Sequence, residues 1–114
     1  MKNSRTLGTL TERRAEEYLV SQGYRILERN FRTKTGEIDR IAREGDALCF
    51  IEVKYRKGNA FGLPEEAVDT RKQQKIRRTA EWYLMSHGQG NACFLRFDVV
   101  CMDDTGIRLY RNAF

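Results

Sequence analysis

Proline is almost missing from this chain: Pro64 is the single one in 114 residues. With no internal repeat and no low-complexity stretch either, nothing reads as an interdomain linker. Splitting a chain of this length would leave halves too small to bury a core, so one domain over residues 1–114 is expected. Cysteine and histidine are equally sparse. Cys49, Cys93 and Cys101 are odd in number and lack CxxC spacing, and His87 is the sole histidine, which excludes a disulfide framework and a Cys/His zinc site. Each cysteine sits among apolar neighbours, which predicts reduced, buried thiols. Long apolar runs are absent too. None approaches the roughly 18 residues needed to cross a bilayer, and the polar start Met1-Lys2-Asn3-Ser4-Arg5 has no apolar signal stretch, so a cytoplasmic protein with no membrane partner is expected.

What the chain does have is charge and a moderate apolar content. Hydrophobic residues make up 40% and charged residues 32%, enough for a core and too apolar for a disordered segment. Lys and Arg number 21 against 16 Asp and Glu, a formal net charge of +5 that favours polyanionic partners. The excess is local. Between Lys54 and Arg78 stand Lys54, Arg56, Lys57, Arg71, Lys72, Lys75, Arg77 and Arg78, against Glu65, Glu66 and Asp69.

The elements can be read in order. Residues 9–22 read as a helix, with Thr9-Leu10-Thr11-Glu12 as a capping box, Ala15, Tyr18 and Leu19 at helical spacing and Gly23 as the stop. Tyr24 to Glu28 reads as a strand and Phe31 to Thr35 as a connection to Gly36. A hairpin follows, Glu37 to Ala42 and Ala47 to Tyr55, around the turn cluster Arg43-Glu44-Gly45-Asp46. Gly58 and Gly62 around Phe61 predict a loop, either a plain connection or one that closes over a bound backbone. A longer helix runs from Pro64, or from Asp69 or Thr70, to about Ser86, with Ile76, Ala80, Tyr83 and Leu84 on one stripe. Ala92 to Met102 and Ile107 to Arg111 close the chain as strands around Asp103-Asp104-Thr105-Gly106. The order is αβββαββ. A helix between the third and fourth strands permits a parallel crossover, so an α/β fold with a mixed sheet flanked by helices is expected.

The chemistry concentrates in Gly36-Glu37-Ile38-Asp39 and Phe50-Ile51-Glu52-Val53-Lys54. Alternation along a strand puts Glu52 and Lys54 on one face and Ile51 and Val53 on the other. With a hairpin loop of two or four residues, position 39 is taken to face position 50. Asp39 is then the diagonal neighbour of Glu52, at ~7–8 Å, and both lean toward one ion. A three-residue loop breaks the scheme. Two carboxylates suit Mg²⁺ or Mn²⁺, and Lys54 beside them can orient water or offset charge on a phosphate, which is the equipment of phosphodiester hydrolysis. A cross-strand ion pair uses the same residues, but a Glu amid Leu48-Cys49-Phe50-Ile51 and Val53 is costly unless paired or ligating. Glu12 falls on the stripe of Ala15 and Leu19; it serves either as a capping residue or as a fourth member of the site.

These residues carry a resemblance. The pattern GEIDxIAxxGDxLxFxEVKxR over residues 36–56, the Phe61-Gly62 pair before a helix bearing Lys72, and Arg96-Phe97-Asp98-Val99-Val100 resemble the YraN-type endonuclease-like family of bacteria. That family is similar in pattern to Holliday-junction resolvases of the PD-(D/E)xK nuclease superfamily, and the likeness spans about Glu12 to Met102. It implies a restriction-endonuclease-like αβββαβ core and a Mg²⁺- or Mn²⁺-dependent nuclease. Asp39 corresponds to the motif aspartate, Glu52 and Lys54 to the (D/E)xK pair, and Glu12 to the helix-one glutamate of resolvase-like members. Asp39 and Glu52 would then ligate the metal. Ile38 stands where the superfamily has Pro, and Thr11 where Gly is usual before the helix-one Glu.

A nucleic-acid partner, DNA on this resemblance and branched or repair-related in kind, would lie along Arg56, Lys57, Arg71, Lys72 and Lys75. The last three crowd a helix start, against the preference of the helix dipole, and phosphate contact explains them there, as a solvated helix face also does. Gln73, beside Lys72, is a further candidate for the site. Junction resolvases use paired sites, so a homodimer is compatible with the likeness. Two other readings use the same chain: a non-catalytic DNA-binding module that kept the fold, and a protein-interaction adaptor using the sheet edge or the Trp82 helix face. Trp82 and Tyr83 read as packing residues, His87 as a partner of the helix C-terminal dipole, and Arg96 with Asp98 as a buried supporting ion pair.

Overall fold

A computed structural model describes residues 4–56 and 68–114, with side chains described from Leu10 onward. The elements are α1 (Ser4–Ser21), β1 (Arg25–Thr33), β2 (Gly36–Glu44), β3 (Ala47–Tyr55), α2 (Thr70–His87), β4 (Phe94–Asp103) and β5 (Gly106–Tyr110). The strands form one sheet in the order β1-β2-β3-β4-β5. Three strand pairs are antiparallel; β3 and β4 run parallel because α2 lies between them in the chain. The α/β fold is mixed, as the pattern of elements predicts.

Both faces of the sheet are covered. Ile41, Leu48, Phe50 and Val99 pack under α2 with Ile76, Ala80 and Tyr83. Ala42, Cys49, Ile51 and Val100 pack under α1 with Ala15, Leu19 and Tyr24. Period-two alternation along β3 divides Leu48 and Phe50 from Cys49 and Ile51, so its six buried residues from Ala47 to Glu52 serve two cores at once.

Several sequence expectations change. α1 begins at Ser4, five residues before the expected capping box, so Thr9 lies inside the helix and cannot cap it. β1 runs to Thr33, taking in most of the stretch read as a connection, because its second half pairs with β2 through Phe31↔Ile38 and Thr33↔Gly36. α2 is capped by Asp69, whose Oδ1 accepts from Lys72 N at 2.8 Å. The alternative start at Pro64, the Gly58/Phe61/Gly62 loop and Lys57 lie outside the described residues. All three cysteines are free, but Cys93 is exposed while Cys49 and Cys101 are buried. Among the described residues, no helix is long and apolar enough to cross a membrane.

Gly36 shows why the first motif residue must be glycine. Its φ of +150° is a backbone state other residues rarely adopt, and a Cβ there would stand 3.3 Å from Thr79 Oγ1 and 3.7 Å from Lys75 Cβ. Thr79 is fully buried and donates to Lys75 O, so it has little room to yield. Gly36→Ala is therefore expected to lower stability by about 1–3 kcal/mol, read as a lower urea midpoint. An unchanged midpoint would show that α2 is not held against β2 at this point.

Candidate metal and nucleic-acid site

The site forms where two strands part. The β2–β3 register runs from Glu44↔Ala47 to Arg40↔Ile51 around the two-residue turn Gly45-Asp46. Phe50 therefore faces Ile41 and not Asp39; the expected diagonal is replaced, because this turn brings Asp39 level with Glu52. In place of a backbone carbonyl, the Asp39 side chain takes the next ladder bond: Val53 N–H donates to its Oδ2 at 2.8 Å. On the far side, Asn30 with φ +50° lies between the pairs Arg29↔Arg40 and Phe31↔Ile38, opposite Asp39. Residues two apart on a strand normally share a face. Here Phe31 meets Tyr83 of α2 while Arg29 meets Glu16 of α1, and Ile38 joins the core under α2 while Arg40 meets Glu16. Both strands change sides at Asn30 and Asp39, and the aspartate sits at the crossover.

The carboxyl of Asp39 lies against that of Glu52. Burial pushes the Asp39 carboxyl up to about 8, Glu52 beside it acts in the same direction by hydrogen bond and by charge, and the Val53 N–H pulls it partly back. Two carboxyls in contact cannot both ionise freely without a cation between them. One is at hand: Lys72 Nζ lies 3.3 Å from Glu52 Oε2, across from α2 onto the sheet.

Lys72, expected on the nucleic-acid face, also reaches the carboxyl pair, a contact the sequence reading does not include. The signal was legible: Lys72, Ile76, Thr79 and Tyr83 follow at i, i+4, i+7 and i+11, so Lys72 begins the stripe that packs on the sheet. Arg40 was not singled out at all. Only 6% exposed, it donates to Glu16 Oε1 (2.7 Å), Glu12 Oε1 (3.0 Å) and Asp39 O (2.7 Å), holding the backbone of the crossover against α1.

Lys54 is exposed on the face of Glu52, level with Cys101 of β4, and among the described residues it makes no ion pair. Glu12 Oε1 accepts from Asn30 Nδ2 (2.8 Å) and from Arg40, whose guanidinium also holds the Asp39 carbonyl. Among the described residues, no three His, Cys, Asp or Glu side chains gather closely enough to cage a metal. A Mg²⁺ site does not require that, because the ion keeps several waters and is held by one or two carboxylates plus substrate oxygens. The donor set of Asp39 and Glu52 fits such an ion.

Around this pair the charge is positive. Arg71, Lys72 and Lys75 are exposed and line a groove of about 340 Å³ with Asp69 at the start of α2. Arg56 is half-buried at the end of β3, where its N–H donates to Met102 O. Gln73 donates to Val68 O at 2.9 Å.

Comparison with known proteins follows the same residues. The model of the uncharacterised protein family UPF0102 matches residues 11–102. A UPF0102 protein of Lachnoclostridium phytofermentans is 46% identical over 112 residues, covering 98% of this chain and 95% of its own. Another, from Caldicellulosiruptor saccharolyticus, is 43% identical and covers 98% of this chain and 99% of its own. A third, from Alkaliphilus metalliredigens, is 44% identical and covers 97% and 99%. The matched span takes in α1 from Thr11, the crossover with Asp39, the Glu52 and Lys54 strand and all of α2, and the chain belongs to the uncharacterised protein family UPF0102.

Proposed function

We propose that the protein is a Mg²⁺- or Mn²⁺-dependent nuclease acting on DNA, of the resolvase-like kind its residue pattern resembles, with branched or repair-related DNA as the substrate. The observation that carries this reading is the carboxyl pair of half-buried Asp39 and buried Glu52 at the point where β2 and β3 diverge, with the Lys72 ammonium 3.3 Å from Glu52. A pair so placed costs stability unless something cationic offsets it.

Asp39 and Glu52 would hold the ion, with Asp39 steadied by the Val53 N–H and by Arg40 on its carbonyl. When bound, a divalent ion supplies an activated water and offsets the charge that grows on the phosphate. Lys54, on the face of Glu52, would donate to a phosphate oxygen or orient the attacking water. Lys72 balances Glu52 in the metal-free protein and, with Arg56, Arg71 and Lys75, serves the phosphates of the strand; Lys57 belongs to the same proposed set.

Calorimetric titration with Mn²⁺ tests the site without a substrate. Since Asp39 in the metal-free fold keeps its proton up to about pH 8, binding at neutral pH must expel it. Affinity is expected to rise roughly tenfold per pH unit as the pH climbs toward 8 and then level off, with about one proton released at neutral pH. The same carboxyl lowers the stability of the metal-free fold across that climb, because its folded value lies above its unfolded one. Glu52→Gln should abolish binding while leaving the fold intact. Equal Mn²⁺ affinity in wild type and Glu52→Gln would sink the assignment of the metal to this pair. DNA retention that chelator does not affect, without any Mn²⁺ binding, would favour a binding module.

A further inference from the structure

Trp82 is the sole tryptophan of the chain, and it does not pack into the core as its place in an amphipathic helix suggests. It is 41% exposed and Met85 is 78% exposed. With Thr35, Arg78 and Glu81 they line a second surface groove of about 430 Å³, between α2 and the β1–β2 turn. Thr35 is a fixed wall there: its hydroxyl bonds to those of Thr33 and Thr79.

Helical spacing connects this groove to the proposed site. Arg71, Lys75, Arg78, Trp82 and Met85 follow one another at steps of four, three, four and three, which sets them in one line along the exposed flank of α2. The line starts at Arg71 in the basic groove and reaches the indole eleven residues and about 16 Å further on. Positive charge therefore leads from the carboxyl pair to an exposed aromatic plane.

We infer that the Trp82 groove is a base-stacking platform: a strand whose phosphates follow Arg71, Lys75 and Arg78 lays an unpaired base on the indole. Glu81 decides between base and phosphate at this end, because its carboxylate repels a phosphate yet accepts from an exocyclic amino group of a base. Charge decides between a nucleic acid and a protein partner. The apolar part of the line is confined to Trp82 and Met85, whereas the rest is an uninterrupted cationic track that matches a row of phosphates. Stacking on an aromatic ring accepts any base, provided that the base is not already stacked within a duplex. The inference rests on the nucleic-acid reading above and narrows the substrate to strands with unpaired bases, as at single-stranded ends, gaps or branch points.

Because Trp82 is the only tryptophan, its fluorescence reports on this groove alone. Metal-free protein in excess chelator is titrated with a short single-stranded oligonucleotide of mixed sequence and with the matching duplex, and affinity is read separately by anisotropy of a labelled strand. The expected result is quenching by the single strand and little by the duplex. Trp82→Ala should bind the single strand about tenfold more weakly, Trp82→Phe should recover most of the loss, and neither should shift the unfolding midpoint or the duplex affinity. Saturable binding with unchanged fluorescence, still weakened by Lys75→Ala, would overturn the platform and leave the nuclease reading standing. Failure of the wild type to bind either oligonucleotide would overturn both. Fluorescence that changes with protein concentration alone, with a dimer seen by sedimentation, would give the groove to a second copy of the chain and overturn the platform.

Discussion

Lys54→Ala is expected to reduce Mn²⁺-dependent cleavage of plasmid or junction DNA by about 10²–10⁴-fold while leaving Mn²⁺ binding and the unfolding midpoint nearly unchanged. The side chain is exposed, so its removal opens no cavity, and its ammonium makes no ion pair among the described residues. What is lost is the donor on the face of Glu52 that offsets charge in the transition state. Asp39 gives the complementary case. Asp39→Ala would leave the Val53 N–H without its acceptor, so Asp39→Asn is the cleaner change: its amide oxygen still accepts from Val53 and its nitrogen can donate to Glu52. That variant should fold well without metal and lose cleavage together with Mn²⁺ binding. Full activity in Lys54→Ala, or cutting by Asp39→Asn at the wild-type rate, would end the proposed mechanism.

The largest loss of stability is expected on the opposite face, at Asp98. This carboxylate is fully buried and accepts from Tyr24 Oη (2.7 Å), from Arg96 Nε (2.9 Å) and Nη2 (2.9 Å), and from Asn112 N (2.9 Å). Arg96 reaches on to Glu44, which also holds Arg111. Two side chains of β4, Asp98 and Arg96, thereby tie the residue before β1, the end of β2 and the segment after β5. Burial and Asp98 together hold the Tyr24 hydroxyl well above its ordinary value, so it stays a donor at all ordinary pH. Asp98→Ala would leave the Tyr24 hydroxyl and the Asn112 N–H without their acceptor and the Arg96 guanidinium with Glu44 as its only carboxylate, at a cost of about 3–5 kcal/mol. Against the 5–15 kcal/mol typical of a whole domain, that shift is large. Urea unfolding should show a much lower midpoint with a similar slope, and Asp98→Asn should fall in between. A loss below about 1 kcal/mol would mean that water reaches the network and satisfies it.

Much of this architecture was legible before any coordinates. The αβββαββ order follows from glycine and turn clusters between apolar runs, and the parallel pair from the length of chain between β3 and β4. Glu52 stood out because a carboxylate among Leu48, Cys49, Phe50, Ile51 and Val53 needs a partner. The misreadings have identifiable causes. Helix α1 was started at a capping pattern that local sequence favours, but the helix continues through it to Ser4. Trp82 reads from the sequence as a packing residue, yet it lies exposed to one side of the stripe that Ile76, Thr79, Ala80 and Tyr83 bury.

From its residue order alone the chain determines which side chains share a strand face, which helix stripe is apolar, and that acid, acid and amine are brought to one hairpin. Those follow from periodicities of two and 3.6, which are local. Only the tertiary structure decided that β1 and β2 change sides at Asn30 and Asp39, that the Asp39 side chain replaces a backbone acceptor for Val53, and that Lys72 crosses from α2 to Glu52. Each of these depends on a backbone state or a contact between residues far apart in the chain, and the energy that selects them appears only when both helices are packed on the sheet.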